Sequence, residues 1–77
     1  MSRKVKLSPT QNQILRLLEE AGEENLYCLA ATLNISDDAG FQEEIVGLER
    51  LGYVIRGHEN NLPSLVLTAE GRVALTR

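Results

Sequence analysis

The chain has 77 residues, 43% hydrophobic and 25% charged, which makes one small domain near the size where a single core still folds without staples. Its net charge of -3 excludes polyanion binding through the surface as a whole, so any nucleic-acid site has to be local. One cysteine excludes an internal disulfide, no paired Cys/His spacing suggests a metal, and no apolar run approaches the roughly 20 residues that cross a bilayer. The expectation is a cytoplasmic chain with no cofactor and no membrane partner, and with no signal-peptide segment at its start.

Residues 1–7 carry Arg3, Lys4 and Lys6 with little to bury, and read as a flexible basic arm ahead of a domain over 8–77. A solvated tail is the plainer role for such an arm and phosphate contact the sharper one. Ser8, Pro9 and Gln11 mark a helix start: a capping hydroxyl, a proline at the first position, and a glutamine that reaches back to the cap amide. Ile14, Leu15, Leu18 and Ala21 follow helical spacing, and Gly22 stops the helix. Glu23 and Glu24 read as an acidic loop, with Asn25 capping a second helix whose stripe is Leu26, Leu29, Ala30 and Leu33. Cys28 lies off that stripe without a cationic neighbour, so it is read as incidental and partly exposed.

Asn34 suits a left-handed helix end, Ile35 the apolar contact after it, and Ser36 the cap of a third helix over about 37–51. Asp37 and Asp38 then fall in its first turn; Phe41, Ile45 and Leu48 face the core, and Gly52 is the stop. From Tyr53 the period changes. Tyr53 to Arg56 and Ser64 to Leu67 are strand formers, and the GHENNLP between them is dense in turn residues, which predicts a β-hairpin with a long tip over about 53–67. Thr68 caps a short final helix whose first turn is weakened by Gly71.

The predicted fold class is α+β, mainly α: a winged helix, with a helix-turn-helix inside a three-helix bundle, a two-stranded β-hairpin wing and a short C-terminal helix. In sequence as well as order, LYCLAATLNIS, LERLGYVIR and LVLTAEGR resemble the helix-turn-helix, the end of the recognition helix with the first wing strand, and the strand-to-helix junction of MarR-like winged-helix regulators. The resemblance covers nearly everything from Ser8 to Arg72. It implies a DNA-binding transcriptional regulator whose third helix enters the major groove of double-stranded DNA while the wing touches flanking backbone. In the family a homodimer is formed by additional terminal helices. The stretch from Ser8 to Arg72 contains no counterpart of these, so a homodimer of this chain would need another route.

On the third helix the positions left outside the core are Ala39, Gln42, Glu43, Val46, Gly47 and Arg50, of which Gln42 and Arg50 have the donors that read bases. Asp37, Asp38, Glu43, Glu44 and Glu49 put five carboxylates on the same helix, which is poor electrostatics beside phosphates. Adjacent Glu43 and Glu44 read as solubilising. Positive charge is expected from Lys4 and Lys6, from Arg56 at the wing base and from Arg72, with His58 and Asn60 or Asn61 at the wing tip. The alternative is a protein-interaction module that does not bind DNA, whose contact face is Ala39, Gly40, Glu43, Val46 and Gly47, small enough to let a partner backbone approach. An enzyme is not expected, because the lone histidine and lone cysteine lie far apart and no phosphate-binding glycine loop is present.

Overall fold

Each helix is bounded by side chains that satisfy the backbone groups a helix end leaves unpaired. The computed structural model describes residues 7–35 and 38–76. Helix α1 (Pro9–Ala21) opens on the predicted capping box: Ser8 Oγ accepts from the Gln11 amide at 3.1 Å, and the Gln11 side chain accepts from the Ser8 amide at 3.0 Å. Gly22 closes it at φ +82°. Helix α2 (Leu26–Leu33) is capped by Asn25, whose Oδ1 accepts from the Cys28 amide at 2.8 Å. It ends at Asn34, left-handed with φ 58°, where the Ile35 and Asn34 amides return to the Ala30 and Ala31 carbonyls in a Schellman closure.

Helix α3 (Ala39–Arg50) starts later than expected. Asp38 is its cap, accepting from the Phe41 amide at 3.1 Å, rather than a first-turn residue. Ser36 and Asp37, the other residues assigned to this start, lie outside the described residues. At its far end Gly52 (φ +78°) and Tyr53 bond back to Glu49 and Leu48, a second Schellman closure that turns the chain into strand β2 (Val54–Glu59).

The sheet differs from the expected hairpin in two respects. Glu23–Asn25 is a strand, β1, paired antiparallel with β3 (Leu62–Leu67), so the sheet has three strands in the order β1-β3-β2. The tip is also short. Pairing between β2 and β3 continues to Glu59↔Leu62, leaving a two-residue turn of Asn60 and Asn61 with φ 53° and 65°. Positive φ at both central residues is the geometry whose twist matches a hairpin, and asparagine tolerates it.

Gly57 and Pro63, which read as loop residues, sit in the ladder, and Pro63 does so without harm. The Leu67 amide donates to the Gly22 carbonyl on the β1 side, so alternate residues back to Pro63 aim the same way. Pairing with β1 ends at Asn25↔Ser64, and the missing N–H of Pro63 falls just beyond it. A Cβ at Gly57 would stand 3.2 Å from both Glu23 Oε2 and Ser64 Oγ, and the buried Ser64 hydroxyl donates to that Glu23 oxygen at 2.5 Å.

One core joins the layers: Ile14, Leu15 and Leu18 from α1, Leu26, Leu29 and Ala30 from α2, Phe41, Ile45 and Leu48 from α3, and Val54, Leu65 and Leu67 from the sheet. Leu7 packs on its edge; the rest of the proposed 1–7 arm lies outside the described residues. The last helix, α4 (Ala69–Leu75), docks on α1. Gly71 is its buried residue, and an added Cβ there would run into the Tyr53 carbonyl and lie 2.6 Å from Leu67 Cδ1. Among the described residues no helix is long and apolar enough to cross a membrane.

Candidate nucleic-acid interface

The faces of α3 are set by what each helical row meets. Phe41, Ile45 and Leu48 are buried. The row beside them turns to α1: the Ser8 hydroxyl donates to Glu44 Oε2 at 2.6 Å, and Gln11 Nε2 donates to the Glu44 carbonyl at 3.2 Å. Gly47 lies in the same row, and a Cβ added to it would stand 2.7 Å from Gln11 Nε2. A side chain there would have to displace the Gln11 carboxamide from the Glu44 carbonyl. Gly47 therefore faces the bundle rather than the outer side, and Glu44 anchors α1 instead of serving only solubility.

On the opposite flank Glu49 accepts from Arg56 Nε at 2.9 Å, tying α3 to the base of the wing. The row that remains open contains exposed Ala39, Glu43 and Arg50, with half-buried Val46 among them and half-buried Gln42 at its margin. Gln42 also takes part in an interaction of its own.

This distribution changes the electrostatics inferred for the helix. Of the carboxylates counted on it, Asp38 is held by the Phe41 amide, Glu44 by Ser8 and Glu49 by Arg56. Asp37 lies outside the described residues. Glu43 is thus the one carboxylate of the open row, where it stands between Ala39 and Arg50. The acidic character read from composition is mostly directed at other parts of the protein.

In β2, residues alternate between sheet faces, so Arg56 and His58 share the face of buried Val54, the side on which the helices lie. Both are exposed, and Asn60 follows them into the turn. The salt bridge uses one N–H of the Arg56 guanidinium, and the fork retains further donors for a second acceptor. Arg72 is exposed in the last turn of α4, the element that docks against α1 and whose cap residue Thr68 bonds to the Gly52 carbonyl behind α3. Lys4 and Lys6 lie outside the described residues. Among the described residues no group of His, Cys, Asp or Glu is arranged to hold a metal ion.

Two contacts were invisible to spacing: the Ser8–Glu44 bond and the Glu49–Arg56 pair. The cap residues themselves were readable, but nothing in the local sequence says that the α1 cap is laid against α3. Glu49 and Arg56 straddle Gly52, and a reversal at that glycine is the one signal that could have suggested their meeting.

Neither a scan against protein-family models nor a search of curated proteins gives a match. Solved structures do match. A MarR-family transcriptional regulator from Silicibacter pomeroyi superposes with a TM-score of 0.80 at 21% identity, over 92% of this chain and 49% of that one. The transcriptional repressor CouR, solved with p-coumaroyl-CoA, gives 0.80 at 32% identity over 94% of this chain and 50% of its own. BpsR of Bordetella bronchiseptica, whose DNA binding is regulated by 6-hydroxynicotinic acid, gives 0.79 at 21% identity over 91% and 51%. The chain thus spans about half the length of these structures. Helix order, the Schellman-closed third helix, the tight hairpin and these superpositions agree: the chain has the MarR-like winged helix-turn-helix fold.

Proposed function

We propose that the chain is the DNA-binding module of a transcriptional regulator, inserting α3 into the major groove and laying the wing along the flanking backbone. The observation that carries this reading is the open row of α3. With Asp38, Glu44 and Glu49 engaged elsewhere, the row offers Arg50 and Gln42 as base-reading donors at the cost of a single carboxylate. Arg56, His58 and Asn60 line the wing beside it and supply phosphate contacts, with Lys4, Lys6 and Arg72 as further cations. The transcriptional regulators among the structural neighbours support the same reading. A homodimer would set two such helices on half-sites about one helical turn apart.

For the alternative, a protein-contact face of Ala39, Gly40, Glu43, Val46 and Gly47, the exposed residues are Ala39, Gly40 and Glu43, while Gly47 lies against the Gln11 side chain.

The test is titration of mixed duplex fragments at low salt, followed by the salt dependence of affinity. Binding is expected, with the logarithm of the affinity falling linearly in log salt at a slope of about 0.9 per phosphate contact. An Arg50→Gln change should weaken it. No association at low salt, where charge attraction is strongest, would remove the reading.

A further inference from the structure

Glu43 stands where a DNA reader least tolerates a negative charge. It is exposed on the open row of α3, between Ala39 and Arg50, and no described residue donates a hydrogen bond to it, whereas Asp38 accepts from a backbone amide, Glu44 from a hydroxyl and Glu49 from a guanidinium. A carboxylate brought into the major groove meets repulsion from phosphates and from the acceptor atoms of guanine and thymine. It can be compensated there only by an amino group. Adenine and cytosine both carry one, but adenine N6 lies beside the acceptor N7, which opposes a second carboxylate oxygen, whereas cytosine N4 lacks that neighbour on its own base. Resting on the DNA-binding reading above, we propose that Glu43 is a specificity-determining residue that accepts a hydrogen bond from cytosine N4, so that the site contacted by α3 contains an obligatory cytosine.

A helix that bound DNA through charge alone would gain by losing Glu43, and this distinguishes the proposal from general attraction. Duplexes would be selected from a randomised pool by the full chain and by the Glu43→Gln and Glu43→Ala variants. Because Glu43 is exposed and without a partner among the described residues, the variants should melt with the parent, which circular dichroism checks. The parent is expected to select one invariant cytosine, and replacing it should weaken binding roughly ten-fold or more. Glu43→Ala should lose that preference alone, and Glu43→Gln should move it toward adenine, whose N6 and N7 match a carboxamide. If both variants select the parent's motif, or bind every duplex more tightly with an unchanged order of preference, the inference is overturned while DNA binding stands. If the parent binds no duplex at low salt, both fall together.

Discussion

Single side chains at helix ends bear more of this fold than their size suggests, and Thr68 is the clearest case. Its Oγ1 accepts from the Gly71 amide at 3.0 Å and donates to the Gly52 carbonyl at 2.6 Å, while its own amide donates to the Tyr53 carbonyl. It caps α4 and fastens that cap to the turn behind α3. Thr68→Val keeps the shape and removes both side-chain bonds; a loss of about 1–2 kcal/mol in urea unfolding is expected. Three residues on, Gly71 lets α4 approach the Tyr53 carbonyl. Gly71→Ala would raise helix propensity yet should destabilise by about 1–3 kcal/mol, because the obstacle is backbone that cannot rotate away. Thr68 was readable from its own neighbourhood. Gly71 was readable only as a weak helix former, since the atoms that require it lie in Tyr53 and Leu67.

At the scale of elements, the helices were legible because their caps and stripes are local. Ser8 with Gln11, Asn25 with Cys28 and Asn34 with Ala31 are each three residues apart, and the core stripes recur within one helix. The sheet was legible only in part. Three residues, two of them acidic, show no periodicity, and β1 exists because β3 pairs with it some forty positions away. The hairpin tip was misjudged because Gly57 and Pro63 read as breakers, whereas each occupies a ladder position that suits it: Gly57 under Glu23 and Ser64, Pro63 beyond the end of β1. The Asn60–Asn61 turn yields a test of its geometry. Glycine takes positive φ without strain, so Asn61→Gly should leave stability equal or raise it by up to about 1 kcal/mol, whereas Asn61→Val should lower it by about 1–2 kcal/mol. Equal effects from the two changes, read as denaturation midpoints, would mean that this turn is not left-handed at both residues.

For the molecule as a whole, the arrangement of α3 depends on contacts from both sides. Ser8 and Gln11 hold it from α1, and Arg56 holds it from the wing. The first brace is the stronger, since it is half-buried and involves a charged acceptor, while the second is an exposed pair of the kind worth about 0–1 kcal/mol. A double-mutant cycle of Ser8→Ala and Glu44→Gln should show a coupling of about 1 kcal/mol, and the same cycle on Glu49→Gln and Arg56→Gln less than half of that. The candidate site was harder to read than the fold for the same reason. Its residue types were visible in the sequence, but which carboxylates face outward depends on partners supplied by other elements, and this governs whether α3 looks hostile or hospitable to a polyanion.

The short strand Glu23–Asn25 has a mechanical consequence. It grips β3 from Ser64 to Val66, so the hairpin is rooted in the α1–α2 connection along its inner half and is a bare two-stranded ribbon beyond. Motion of the wing should therefore have its fulcrum near Gly57 and Ser64, with the root moving as one with the helices and only the tip bending to follow a curved surface. Amide exchange would trace that fulcrum as a step, slow at Leu65 and Leu67 and fast from His58 through Leu62.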